Sequence, residues 1–244
     1  RGDYAEGWFN RGGALLDQKR HDEAAASFAR VVELAPDYPF AAGQLLHAKM
    51  LCCDWDGLVP LLEEVREGVR AGRRAIEPFA FQGLCDDPAE LARCAATYAA
   101  TRHPPHPAPL SQGVRYRHRR IRLGYVCGEF REHATSLLMA GVWEACDRER
   151  FELVAFDNGH DDGSALRARI VAAFDAFVPI ASRDDASAAA LVREREIDVL
   201  VNLNGYYGLG RMGVFARRPA PLQVNYLGFP GTLGAPYFDY IVAD

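Results

Sequence analysis

From residue 121 onward the sequence alternates short apolar runs with stretches of helical spacing, and this alternation restricts the second half of the chain more than any other feature. Residues 121–126 (IRLGYV), 151–156 (FELVAF), 177–180 and 197–203 read as strands, with further candidates at 222–226 and 240–242. Helical spacing fills 133–146, 164–174 and 185–196. Strands joined through helices of roughly 10–15 residues need crossover connections, which produce a doubly wound, mainly parallel sheet. Ligands of such sheets bind beyond the carboxyl ends of the strands. That rule singles out three loops, 127–135, 204–213 and 228–234.

The first forty residues carry a different period. Trp8, Gly12, Leu15, Ala24, Phe28 and Pro36 fall at the spacing of a tetratricopeptide repeat, in which an aromatic anchors the first helix, small residues let the second pack closely and a proline ends it. The next unit, 40–70, keeps helical spacing without the consensus, as a terminal repeat does when it packs on something other than another repeat. Either more repeats precede Arg1 or this is the last repeat of an array. Residues 103–109 (HPPHPAP) hold four prolines and cannot form regular structure, so His103 and His106 are read as part of a plain extended connector, with no third metal ligand nearby. The expected regions are repeats over 1–75, a helical and Pro-rich connector over 76–118, and an α/β lobe over 119–244.

Composition is that of a globular chain, 49% hydrophobic and 25% charged. A formal charge of -5 removes the case for a general nucleic-acid or anionic-membrane binder. The basic run at 115–122 (RYRHRRIR) reads as a solvated approach to the first strand. No apolar run nears the ~20 residues of a membrane span and no leader is visible. Because the first residue is Arg1, the true N-terminus is expected upstream. The six cysteines contain no C-x-x-C pair and read as buried thiols of a reducing, cytoplasmic compartment.

Gly208, Gly210 and Gly213 spell G-x-G-x-x-G, yet a dinucleotide turn needs its first glycine where the strand ends and a carboxylate about 20 positions on. Here 204–207 intervene, and the later segment (RPAPLQVN) has no acid. The motif therefore reads as a loop feature in a chain with 22 glycines. The loop 127–136 (CGEFREHATS) leaves the first strand and feeds a helix that Thr135 or Ser136 could cap, turning free amides and the positive helix end toward the crevice. His133 stands at its mouth. The residues alone leave two roles open for it: acid, base or phosphate donor on one side, a second helix cap on the other.

Taken together, RIRLGYVCGEFREHATSLLM, DDGS at 161–164 and VNLNGYYGLGRMGVFARRPAPLQVNYLGFPGTLGAPYFDYIVAD closely resemble the amino-terminal half of the catalytic region of the O-GlcNAc transferase family, bacterial members included. The resemblance implies tetratricopeptide-type helical repeats followed by a Rossmann-like lobe, the first half of a GT-B glycosyltransferase. It implies transfer of N-acetylglucosamine from UDP-GlcNAc to Ser or Thr of proteins, with inversion, no metal and no cofactor beyond the UDP-sugar donor, and acceptor proteins docking along the repeats. By motif position His133 matches a catalytic or phosphate-contacting histidine, and Thr135 a residue near the donor sugar. Leu227 and Gly228 match a segment whose backbone approaches that sugar, with Pro230, Gly231 and Thr232 in the same loop.

Two departures stand out. Glu129 replaces the Asp of animal members, and 76–79 (IEPF) replaces their histidine-rich segment. The second lobe, which binds most of the nucleotide in GT-B enzymes, is expected beyond Asp244, so the 244-residue chain alone is expected to be inactive. Alternatives are a related transferase using another sugar, an interaction scaffold with an incomplete lobe, and a nicotinamide enzyme, which the missing carboxylate disfavours.

Overall fold

A computed structural model describes residues 4–243; Arg1 and Asp244, where the first and last expected regions begin and end, lie outside the described residues. The chain divides into two compact units, Arg1–Thr101 and Arg102–Asp244. The expected 76–118 connector is thereby shared, its helical part in the first unit and its proline-rich part in the second.

In the first unit, α1 (Ala5–Asp17) and α2 (His21–Leu34) form a helical hairpin. Lys19 turns the chain in the left-handed region at φ 59. The amides of Lys19 and Arg20 close the turn onto Leu16 O and Leu15 O at 2.8 and 2.9 Å. A Cβ on Gly12 would lie 2.7 Å from the buried Phe28 ring, which is why the repeat needs glycine at that point. Four more helices follow: α3 (Ala41–Leu51), α4 (Leu58–Arg70), α5 (Pro78–Gln82) and α6 (Pro88–Arg102). The second helical pair packs α3 against α2 of the hairpin and uses the segment after α4 as a further partner. Phe40 N donates to Arg74 O and Gly43 N to Ala75 O, so the 74–76 segment satisfies amides at the start of α3. Leu46, Val65, Val69, Ile76, Phe81 and Cys94 then share one core. The buried Glu90 carboxylate is gripped by Arg66 at 2.9 Å and Arg70 at 2.7 Å.

The second unit runs β1 (Ile121–Cys127), α7 (Ala134–Glu144), β2 (Phe151–Asp157), α8 (Ala165–Ala172), β3 (Ala176–Pro179), α9 (Asp185–Glu194), β4 (Val199–Asn202), α10 (Met212–Ala216), β5 (Leu222–Tyr226) and β6 (Tyr240–Val242). All strands pair in parallel, in the order β3-β2-β1-β4-β5-β6. The order reverses between β1 and β4, and their carboxyl ends therefore open a crevice at the switch point. Phe130, Met139, Trp143, Leu153, Ile170 and Phe174 fill the core on one side of the sheet. The short α10 was not expected; it begins at Met212, within the last residues of the 204–213 loop.

Two sequence expectations need correction, and a third gains detail. The proline-rich stretch is extended, as expected, and is also fixed, because carbonyls at and just after the end of α10 have no helical partner and take donors from it and from the two residues that follow it. His106 N, Leu110 N and Ser111 N donate to Ala216 O, Arg217 O and Arg218 O at 2.8, 2.9 and 3.0 Å. The cysteines are all free, but only Cys85, Cys94 and Cys127 are buried, and Cys53 is exposed in the left-handed turn after α3. The basic run is only half solvated. Arg115, Arg117 and Arg119 face outward, whereas Tyr116, His118 and Arg120 are half-buried, Tyr116 against Arg193 and the other two against acids. Arg120 reaches Asp175 at 3.0 Å, and His118 lies between Asp198 (Nδ1, 3.0 Å) and Glu196 (Nε2, 3.0 Å).

Two outcomes follow. Gly12→Leu, which overpacks the hairpin, and Phe28→Ala, which empties it, should each cost about 1 to 5 kcal/mol and reduce helix content in thermal melts; an unchanged melt would contradict the hairpin. The Glu196 and Asp198 carboxylates, helped by hydrogen bonding and opposed by burial and by Arg122, raise the His118 pKa, with Tyr116 and Arg193 packed beside it. A raised histidine pKa stabilises below the unfolded value of about 6.5 and loses that contribution as pH climbs through the folded value. The melting-temperature gap between wild type and His118→Gln should therefore be widest near pH ~5.5 and shrink above neutrality. A gap independent of pH would show that the imidazolium is not what binds the two acids.

Candidate active site

β1 ends on the buried Cys127, whose thiol pKa burial pushes up. The chain then turns through Gly128 into the crevice. Phe130 anchors this turn by inserting fully buried among Trp143, Phe174 and Phe177, with ring centroids 5.3 to 5.6 Å apart. Glu129 is only 3% exposed, and its carboxylate accepts from the Asn204 side-chain amide at the end of β4. Asn204 Oδ1 in turn accepts from Gly128 N at 3.0 Å. The two crevice loops are thus joined by one asparagine.

His133 is the N-cap of α7. Its backbone is extended, at φ -156 and ψ 153, and its Nδ1 accepts from Thr135 N at 3.2 Å. Neither Thr135 nor Ser136 caps the helix, contrary to the sequence expectation: both lie in its first turn, where Thr135 is buried and Ser136 Oγ donates back to Glu129 O. The short hydroxyls are drawn inward by the loop they close, leaving the longer imidazole to reach the free amide. An Nδ1 that accepts leaves the proton of the neutral ring on Nε2, so the ring can donate from that atom. The Tyr207 ring stands 6.4 Å from the His133 ring.

The 204–213 loop is held by close contacts within itself and with its neighbours. Asn202 Oδ1 accepts from both Asn204 N and Gly205 N at 3.1 Å. Gly208 is left-handed at φ 56, and a Cβ there would meet Glu129 Oε1 at 2.8 Å. A Cβ on Gly210 would meet Gly205 O at 2.4 Å, and one on Gly213 would meet Asp185 Oδ2 at 1.9 Å. All three glycines of the apparent fingerprint are accounted for by packing inside the lobe. Leu227 and Gly228 are both left-handed, at φ 58 and φ 67. The 227–228 backbone lies against the end of β4, where a Gly228 Cβ would sit 2.1 Å from Leu203 O and 3.1 Å from Asn204 Cα.

Gly228 therefore lies against Asn204, whose Nδ2 also donates to Tyr207 O at 3.3 Å, while His133 and Thr135 open α7, with the His133 ring beside that of Tyr207. Pro230, Gly231 and Thr232 line instead a cavity of about 420 Å³ shared with Asn225 and β6 residues Tyr240 and Ile241. Tyr206 links that loop to the crevice, its hydroxyl bonding Leu233 O and its ring packing 5.4 Å from Phe229. Asn204 and Asn202 escaped sequence reasoning. Their signal was available in VNLN, where polar residues interrupt an apolar strand at its carboxyl end.

Residues 94–244 match the model of glycosyl transferase family 41, and residues 5–38 match the tetratricopeptide repeat model. The chain belongs to glycosyl transferase family 41. A probable UDP-N-acetylglucosamine–peptide N-acetylglucosaminyltransferase of Arabidopsis thaliana is 33% identical over 215 residues, 82% of this chain and 22% of that protein. The corresponding Caenorhabditis elegans enzyme is 37% identical over 126 residues, 51% of this chain and 11% of that one. A solved Thermobaculum terrenum O-GlcNAc transferase mutant superposes with a TM-score of 0.68 at 30% identity, covering 99% of this chain and 47% of its own. The family 41 chain thus spans about half of that solved relative and about a fifth of the plant protein.

Gly228→Ala probes the crevice wall. A left-handed alanine costs roughly 1–2 kcal/mol before any clash, and the carbonyl of Leu203 adds overlap that only backbone movement relieves. A melting temperature within a degree of wild type would contradict the close approach.

Proposed function

We propose that this family 41 chain is the amino-terminal part of a protein O-glycosyltransferase that moves N-acetylglucosamine from UDP-GlcNAc to Ser or Thr hydroxyls, with inversion and without a metal or cofactor. The observation that carries this reading is His133: a histidine cap on α7, the helix that follows β1 at the switch point of a parallel sheet, in a chain whose relatives are named for that transfer.

The hydrogen bond from Thr135 N to Nδ1 favours one role over the other. A general base would need a free lone pair on Nε2 and hence a proton on Nδ1, which would break the cap. A donor from Nε2 keeps it. His133 is therefore read as stabilising charge that grows on the departing diphosphate, alongside the positive end of α7. Thr135, Leu227 and Gly228 are assigned to the donor sugar, since glycine lets backbone approach a ligand closely. Pro230, Gly231 and Thr232 belong to the same loop and would shape the adjoining cavity.

A second lobe, beyond the 244 residues, would supply most of the nucleotide contacts. Acceptor proteins would dock along the helical repeats. No helix among the described residues is long and apolar enough to cross a membrane, and six unpaired thiols support a reducing cytoplasmic setting.

The cap gives the test its control. In the complete protein, His133→Ala should lower transfer from UDP-GlcNAc to a peptide by roughly 10²-fold or more and also cost about 1 kcal/mol of stability. His133→Asn, a good N-cap, should recover the melting temperature and not the turnover. A fully active His133→Asn enzyme would leave the residue with capping alone. Running the same assay with other nucleotide-sugars identifies the donor.

A further inference from the structure

The segment leaving β2 was not among the three loops selected by strand-end reasoning, yet it grips two of them. Asn158 N donates to Cys127 O at 2.9 Å, at the very end of β1. Its side-chain Nδ2 donates to Leu209 O at 2.8 Å, and its Oδ1 accepts from Arg211 Nη1 at 2.6 Å, both in the 204–213 loop. Asp162 Oδ2 accepts from Glu132 N at 2.8 Å, the amide directly before His133. Arg167 of α8 spans the rest: Nη2 to Asp157 Oδ2 at 2.8 Å, Nη1 to Phe130 O at 2.8 Å. There is no slack, since a Cβ on Gly159 would lie 2.2 Å from Gly128 O.

We propose that residues 157–162 are the positioning element of the crevice, with Asp162 setting the backbone that carries His133 and Asn158 setting the facing loop at Leu209. The proposal rests on the crevice being the site of transfer, but the placement can be measured without turnover. Asp162 is the informative residue because it is exposed and supports no core: its Oδ2 accepts from Glu132 N and its Oδ1 from Ser164 N at 3.1 Å, so it acts through two backbone amides, of which only the Glu132 amide leads to His133. A carboxylate bonded to a backbone N–H is a charge-assisted contact, stronger than a neutral pair. That amide is also the chief reason the Asp162 carboxyl is held at about 2. Losing the bond would free the peptide preceding the cap and, with it, the imidazole that Thr135 N orients.

The test uses the isotopically labelled 244-residue chain and, in parallel, the complete protein. In Asp162→Ala, amide exchange at Thr135 should speed by at least ~10-fold and the His133 ring resonances should move, while the β1 amides keep their protection. Asp162→Asn, which retains a carbonyl acceptor, should restore both. Asn158→Ala should move the Leu209 and Tyr207 resonances and leave Thr135 exchange unchanged. In the complete protein, Asp162→Ala should lower kcat by roughly 10-fold with little change in the KM for UDP-GlcNAc, and Asp162→Asn should match wild type. Unchanged Thr135 exchange and His133 resonances in Asp162→Ala would overturn the proposal. So would loss of protection spread evenly across the sheet, which would make Asp162 merely structural. If His133→Asn proves fully active, the transfer role of His133 falls, while the exchange data still decide the positioning of its loop.

Discussion

Asn204 makes the contact on which the crevice depends. In a doubly wound sheet the backbone ladder ties β1 to β4 only along the strands; past the last pair, the two connections depart in opposite directions and nothing in the ladder holds them. The Asn204 side chain bridges the gap, accepting from Gly128 N and donating to Glu129. Its importance is raised by what Glu129 is, a carboxylate buried with neutral partners, the Asn204 amide and more distantly the Cys127 thiol at 3.9 Å. A buried acid deprived of its one amide donor is costly. The loop carrying His133 and the loop carrying Tyr207 are therefore held by the same group.

The two ends of the sheet use different chemistry. At the amino ends, arginines and His118 meet Glu152, Asp175, Glu196 and Asp198 in a half-exposed layer of ion pairs. Such pairs fasten segments without excluding water and add modestly to stability. At the carboxyl ends the partners are amides, glycines, one capping imidazole and a buried acid, with Arg167 and Arg211 set one layer back on Asp157 and Asp185.

The fold was legible to within a few residues because its signals are local. Apolar runs of strand length, helical spacing between them, and Gly12 against Phe28 are read from neighbours along the chain. The elements misjudged or only partly read were those whose partners are distant. The proline stretch is readable as extended, but its anchoring emerges only when the carbonyls of Ala216, Arg217 and Arg218 are placed beside it. The basic run looks solvated until β4 brings Glu196 and Asp198 to His118. His133 could be seen at a loop mouth, but the choice between a hydroxyl cap and an imidazole cap depended on where Ser136 and Thr135 turned.

What the sequence determined by itself was the alternation that forces parallel crossovers, the glycine-permitted helical hairpin, and the set of loops at strand ends, because each follows from steric and hydrophobic periods of a few residues. The tertiary structure alone decided which loops meet. Strand order places β4 beside β1 and not beside β3, and only that order brings Asn204 to Glu129 and the 157–162 segment against both loops. No short-range period encodes it, since contacts between residues some 75 positions apart, such as Asn204 and Glu129, become defined only when the whole sheet has formed.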